Sequence, residues 1–389
     1  MPLSSSSSSN LDPTSPSPWL RAEQEKLNIL RAPFNQKNNS NKNNKKNKLL
    51  DLAMAAPFEL WPENNQNNQD TQSIQNIAFL IHGFLGTPYF MRATAEIYAR
   101  AGFYAYAALS PGHGICPKAL KCFPLKAILN ALTQTLGKIH AAFPNAKIHL
   151  CGFSLGGLLA LQLAQKFPIE SFLLFAPALK ITPLAQLIPL LDKLGLADFY
   201  YPSAAQLNRH GNPVMYEYYP LCAVRPILEA IHLFNTSQSM RKNLSEKPIY
   251  LVGSEADAVV KLAPMLNLFQ ENKNKYSRFY LYGDSDKNLK NLNAYKSYIN
   301  LANQSIDIIP PFALGPNIKN MSHVALGIRP EDPILGRDGL AYQNLPLHYQ
   351  LGETLTSPSV NTDFFRLFFN PDFDTLSTQI SHFLKNIIS

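Results

Sequence analysis

A mostly parallel β-sheet covered by helices on both faces, with a helical cap inserted between two strands, is the α/β architecture this sequence predicts. Three observations predict it. From residue 76 onward, short and continuously apolar runs alternate with stretches of helical periodicity, the pattern of strands buried on both faces. One of these runs, 147–154, passes into a helix through a turn that sets Gly152 and Gly156 on either side of Ser154. The alternation then breaks over 180–247, a segment rich in Leu, Pro and Tyr, in the kind of connection where a lid over a site is built.

Composition sets the frame for these elements. Of 389 residues, 46% are hydrophobic and 16% charged, enough apolar side chain for a sizeable core and too much for wholesale disorder. Residues 1–50 run through a serine block, a Pro/Ser stretch and the tract "NQKNNSNKNNKKNK". Such a composition buries too little apolar surface to offset its chain entropy, so a disordered, polar and basic tail is expected there. Within it, "WLRAEQEKLNILRAPF" carries a weak amphipathic pattern that allows a transient helix. The tail holds two Arg, six Lys and three acidic residues, net +5 of the chain's +8. The remaining chain therefore has no basic excess of the size a folded nucleic-acid binder presents, and no nucleic-acid partner is expected. The tail itself reads as solvated and dispensable, with a weak tether to an anionic membrane surface as its functional alternative.

Four cysteines, Cys116, Cys122, Cys151 and Cys222, form neither a disulfide framework nor a spaced zinc set. No apolar run approaches the ~18 residues a spanning helix needs, and the start lacks the basic-then-apolar order of a secretory signal. A cytoplasmic location is the resulting expectation.

The core is expected in two parts, 51–179 and 248–389, on either side of the cap 180–247. "FELWPE" reads as a first edge strand. Strands follow at 76–83, from 104, at 147–154, 171–178, 248–257 and 278–283, with helices at 88–102, 125–143, 155–167 and 259–272 between them. At the end, Leu376, Ile380, Phe383 and Ile387 fall on one helical stripe. A second insertion, 284–320, separates the strand 278–283 from the histidine discussed below, and "SIDIIPPF" (305–312) within it is the alternative last strand.

Gly152-Phe153-Ser154-Leu155-Gly156 fits G-x-S-x-G in its required setting, strand before and helix after. A nucleophile at so tight a turn has a strained backbone, and neighbours without Cβ let strand and helix approach closely. The Leu155 amide then lies at a helix N-terminus, where developing negative charge is favoured. "HGFLGTP" (82–88) follows an earlier strand, so the Phe84 and Leu155 amides are the candidate oxyanion donors, with His82 propping the loop. Asp257 follows the strand of "LVGSEAD" and can orient a histidine. Its competitors are Glu255, Asp284 and Asp286, and capping of the next helix is its bland role. His323 in "NMSHVAL" lies downstream of both, giving the order Ser, Asp, His, and His348 is its main rival.

On "HGFLG" (82–86), "PGHG" (111–114), "GFSLG" (152–156), "GSEADAVV" (253–260) and "SHVAL" (322–326), residues 76–327 resemble the α/β-hydrolase superfamily, in its carboxylesterase and monoacylglycerol-lipase-like branch. The resemblance implies the α/β-hydrolase fold, Ser154 as nucleophile, Asp257 and His323 as partners, Phe84 and Leu155 as oxyanion donors, and His113 as a loop residue. It implies a small-molecule ester as substrate and no metal or organic cofactor. The aromatic cap, with Phe199, Tyr200, Tyr201, Tyr216, Tyr218 and Tyr219, suggests an apolar acyl pocket. A thioesterase or small peptidase would use the same three residues. An aminopeptidase would add cap carboxylates for an α-ammonium, from Asp192, Asp198, Glu217, Glu229 and Glu246. A binding protein of the same fold is the non-enzymatic reading. Two features depart from the family pattern: 65 residues separate Asp257 from His323, about twice what compact members need, and 329–360 matches nothing in it and is expected to cover the cleft.

Overall fold

The computed structural model describes residues 16–38, 50–63, 73–181, 200–202, 213–283, 304–343, 348–354 and 364–388. Among them, eight strands form one sheet in the order β1-β3-β2-β4-β5-β8-β9-β10. These are β1 (Phe58–Leu60), β2 (Asn76–Ile81), β3 (Tyr104–Ala108), β4 (Lys147–Phe153), β5 (Ile169–Phe175), β8 (Ile249–Ser254), β9 (Arg278–Tyr282) and β10 (Ser305–Ile309). Every neighbouring pair is parallel except β1 with β3 at the edge. Strands β2, β3, β4, β5 and β8 are buried almost throughout. Continuous apolar runs are what a sheet covered on both faces requires.

The helices are α1 (Pro18–Asn38), α2 (Leu52–Ala55), α3 (Arg92–Arg100), α4 (Leu125–Ala142), α5 (Leu155–Leu163), α6 (Arg225–Thr236), α7 (Gln238–Ser245), α8 (Leu262–Glu271) and α9 (Phe373–Ile388). Helix α5 packs on β2, β4 and β5, and all nine of its residues are buried. Helix α9 buries Leu376, Ile380 and Phe383 from the stripe read in the sequence, and Ile387 packs at its margin. No helix among the described residues is long and apolar enough to cross a membrane.

Four sequence expectations are corrected here. The first is disorder over the whole of 1–50: Pro18–Asn38 are helical and docked. Trp19, Leu20 and Leu27 are buried, and Trp19 packs edge-on against Tyr104 and Phe143. The Trp19 indole donates to the Tyr104 hydroxyl at 2.8 Å, and the Ser17 hydroxyl donates to Glu59 at 2.6 Å. Arg31 donates to the carbonyls of Gly114 and Leu50. The partners of this helix lie far away in sequence, so its own polar composition conceals them. Residues 1–15 and 39–49 lie outside the described residues.

The second correction concerns the cap. Of 180–247, the described residues include α6 and α7, which belong to the helical layer: α6 packs on α4 and α5, and Gln162 donates to the Ala230 carbonyl at 2.9 Å. Short strands β6 (Tyr200–Pro202) and β7 (Tyr218–Pro220) pair antiparallel, and residues 182–199 and 203–212 of the expected cap, Phe199 among them, lie outside the described residues. Third, the expected insertion 284–320 contains β10, which pairs in parallel with β9 and extends the sheet by an edge strand. Residues 284–303 lie outside the described residues. Fourth, the helix expected over 155–167 ends at Leu163.

Candidate active site

Strand β4 delivers Ser154 to the carboxyl edge of the sheet, and α5 starts at the next residue. Ser154 has φ +55° and ψ −116°, a left-handed conformation costing a non-glycine residue on the order of 1–3 kcal/mol. Neighbouring backbone holds it there. The Ser154 N–H donates to the Phe175 carbonyl at 2.8 Å, and the Ser154 carbonyl accepts from Ala178 at 3.0 Å. The flanking glycines are steric necessities: a Cβ on Gly152 would meet the Gly156 backbone at 2.4 Å, and one on Gly156 would meet the Ile81 carbonyl oxygen at 2.0 Å.

The structure brings Ser154, His323 and Asp257 into one hydrogen-bonded row. The Ser154 Oγ lies 3.0 Å from His323 Nε2, and His323 Nδ1 lies 2.6 Å from Asp257 Oδ2. All three residues are buried. A carboxylate can only accept, so Nδ1 carries the hydrogen and Nε2 is left to accept from the serine hydroxyl. Asp257 Oδ1 also accepts from the amides of Val259 at 2.8 Å and Val260 at 2.9 Å, which fixes the carboxylate plane. One face of the His323 ring rests on Phe153, with centroids 5.0 Å apart.

The rival residues fall elsewhere. His348 is exposed. Glu255 follows β8 and lines a cavity of about 320 Å³ that it shares with Tyr282, Lys319 and Met321. Asp284 and Asp286 lie outside the described residues.

The loop 82–88 is propped from beneath. His82 Nδ1 donates to the Gly83 carbonyl at 2.8 Å, and its Nε2 accepts from the Ser110 amide at 3.1 Å. Burial, with the neighbouring His113 second, depresses its pKa to about 3. His113 packs on His82 and is depressed to about 4, chiefly by burial. Both imidazoles are therefore neutral scaffold groups over the ordinary pH range. In this loop Leu85 has φ +66°, and among the described residues no hydrogen bond engages the Phe84 or Leu155 amide. The Phe84 ring meets Tyr219 edge-on at 5.4 Å. Tyr216, grouped above with the pocket aromatics, is instead a buried strut whose hydroxyl oxygen accepts from the Ile115 amide at 2.9 Å.

Several supporting residues carry no sequence signal. The Ser254 hydroxyl donates to the Met321 carbonyl at 2.7 Å, tying the Asp257 loop to the His323 loop. Asn370 donates to the Leu326 carbonyl at 3.1 Å and to the Tyr282 hydroxyl at 2.7 Å. Glu353 accepts the His323 amide at 2.7 Å. The segment expected to cover the cleft thus braces the histidine loop, and Asp332 accepts from the Tyr89 hydroxyl at 2.8 Å beside the loop 82–88. Only residues 30 or more apart in sequence show these pairings, so no local pattern announces them.

A parallel sheet with a nucleophile-type elbow, and an imidazole and carboxylate converging on it, defines the α/β-hydrolase class. The family model described as serine aminopeptidase, S33 matches residues 72–285, more than half of the chain, and the chain belongs to that family. It is 33% identical over 89 residues to a thermostable monoacylglycerol lipase of Bacillus sp. (strain H-257). That alignment covers 23% of this chain and 35% of the relative, so the chain matches about a third of the relative's length. A solved structure of a soluble variant of monoglyceride lipase from Saccharomyces cerevisiae superposes with a TM-score of 0.53 at 12% identity. The superposition covers 85% of this chain and 91% of that one, a likeness of fold.

Proposed function

We propose that this chain is a serine hydrolase that cleaves carboxylic esters with an apolar acyl part through a Ser154–His323–Asp257 triad and an acyl-enzyme. The observation that carries the reading is the hydrogen-bonded row from Ser154 Oγ to Asp257, at 3.0 and 2.6 Å, on a backbone held at positive φ. In the first half-reaction Ser154 Oγ bonds to the ester carbonyl carbon while His323 Nε2 takes its proton. The carbonyl oxygen becomes an oxyanion held by the Phe84 and Leu155 amides, and Asp257 stabilises the imidazolium. The C–O bond to the alcohol then breaks, and His323 returns the proton to the departing oxygen. Water repeats the sequence on the acyl-enzyme, releasing the acid and restoring the Ser154 hydroxyl.

Esters are favoured over peptides because of the resemblance to monoacylglycerol lipase, whereas the family's description names an aminopeptidase. The two readings separate on one panel. Purified protein is offered p-nitrophenyl esters of graded chain length, a thioester and aminoacyl p-nitroanilides. A fluorophosphonate probe is run in parallel on wild type and Ser154→Ala. Ester turnover with Ser154-dependent labelling supports the proposal. Anilide turnover alone would replace it with the peptidase, and a well-folded wild type that is never labelled would favour a binding protein. The basic tail adds a weak membrane tether to the proposal; unchanged binding to anionic vesicles after removal of residues 1–15 and replacement of Lys42, Lys45, Lys46 and Lys48 would remove it.

A further inference from the structure

Beyond the three residues of the row, one buried ion pair stands against His323. The imidazole is carried on a single turn, His323–Ala325, at the end of a stretch with little regular structure. Hydrogen bonding of the ring fixes one end of this residue, and its backbone needs a separate anchor. The anchor is Glu353 Oε2, which accepts the His323 N–H at 2.7 Å. Glu353 is paired in turn with Arg366, whose Nη2 stands 3.0 Å from Glu353 Oε1. Their side chains are only 2% and 8% exposed. The Nη2 hydrogens are not aimed at Oε1, so this contact is Coulombic and not an aligned fork. Arg366 Nε donates to the Ser322 hydroxyl at 3.3 Å, which grips the residue before the histidine as well.

The fold sets this arrangement up with strands β11 (Gln350–Gly352) and β12 (Phe364–Arg366), which run parallel with Gly352 opposite Arg366. Ile318 bridges to Leu351 alongside, and Asn320 Oδ1 accepts the Glu353 N–H at 2.7 Å. Glu353 and Arg366 both lie beyond residues 72–285, the stretch that the family model matches.

We propose that Glu353 and Arg366 form a charge-neutral clamp that positions His323 and leaves its electrostatics to Asp257; this rests on reading His323 as the general base. A buried ion pair is an indifferent way to gain stability, since apolar residues of similar size do as well or better. Its distinctive property is that its two charges cancel at the imidazole. Glu353 alone would favour the imidazolium, and Arg366 alone would oppose it. Among the described residues, the other charged groups near His323 are Asp257, on the ring itself, and Glu255 and Lys319, which line the cavity bordered by Met321. Ser154 and Phe153 also meet the ring and carry no charge.

The experiment compares E353Q, R366M and the double variant by the pH profile of kcat/KM on a p-nitrophenyl ester. The His323 ring resonance is titrated by NMR in the same proteins, assigned with H323Q, so the readout survives if the ester reading fails. E353Q keeps an acceptor for the His323 amide and removes the negative charge. Its acid limb is expected to move to lower pH by at least about half a unit, with kcat down roughly tenfold and KM little changed. R366M is expected to move the limb the opposite way, the double variant to return it towards wild type, and R366K to leave it in place. A ring titration that moves in these opposite directions supports the clamp even in a protein without esterase activity. Limbs and ring titrations that stay at the wild-type position, or move together in one direction, overturn it. Should R366M fail to fold, E353Q and R366K decide between the same outcomes.

Discussion

Strand 147–153 and helix 155–163 make the Ser154 elbow almost by themselves, whereas the imidazole facing it depends on groups drawn from residues 254 to 370. The elbow is held by its own glycines and by the adjoining ends of β2 and β5. The histidine arm has one short turn of its own and takes its position from Ser254, Glu353, Arg366 and Asn370. A nucleophile at positive φ needs rigid backbone, which close strand–helix packing supplies locally. A base needs a ring held at two ends, and side-chain hydrogen bonds from separate segments can do that. Damage to the elbow should therefore act through backbone sterics, and damage to the arm through lost polar partners.

The largest effect separates chemistry from structure at both ends. Ser154→Ala is expected to lower kcat by on the order of 10⁶ and Asp257→Asn by about 10⁴, with thermal unfolding of each little changed. Steady-state kinetics beside calorimetry checks both, and a residual activity above a hundredth of wild type would mean the row is not the reacting centre. Gly156→Ala tests the steric half of the comparison. Its Cβ would lie 2.0 Å from the Ile81 carbonyl oxygen, so a loss of about 3 kcal/mol or more is expected in denaturant unfolding. An alanine tolerated there would show that the elbow can relax.

Asn370→Ala tests the other half. It strips the Leu326 carbonyl and the Tyr282 hydroxyl of a buried donor, for an expected cost of about 1–3 kcal/mol. Because the anchored turn carries His323, kcat should fall with it while KM holds. The last effect is graded by pH and belongs to the elbow side. His82, His113 and His149 are held neutral, with pKa values depressed from 6.5 to about 3, about 4 and about 3 by burial. The unfolded chain takes up these protons below about pH 6.5 and the folded chain does not, so stability is complete above that pH and falls as pH drops towards 4. Each group contributes a slope of up to about 1.4 kcal/mol per pH unit. Urea midpoints between pH 7 and 4.5 check the slope, and His149→Gln should lessen it by one group's share.

Much of the sheet was legible in advance. Strands β2, β4, β5, β8 and β9 show as apolar runs because burial on both faces leaves few polar positions in them, His149 and Ser171 among these few. Ser154 announced itself through Gly152 and Gly156, since only glycine fits contacts of 2.4 and 2.0 Å. Asp257 and His323 were readable only by order along the chain and by resemblance, with Glu255 and His348 as live rivals; distance in space separates them. Helix α1 was misread because its stripe of Trp19, Leu20 and Leu27 is diluted by polar neighbours, and its anchors, Glu59 and Tyr104, come much later in the chain. Strand β10, "SIDII", was legible only as an alternative last strand inside an insertion, because an edge strand keeps half-buried positions.

By itself, then, the sequence determined the alternation of strand and helix, the elbow and its serine, because each follows from the period of apolar residues or from the space a Cβ occupies. Tertiary structure alone decided which carboxylate meets which imidazole, that the N-terminal helix docks on the sheet edge, and that Glu353 and Arg366 stand behind His323. The contacts made to His323 and to Tyr104 join residues 30 or more positions apart, and hydrogen bonds and ion pairs leave no periodic trace in the chain that makes them.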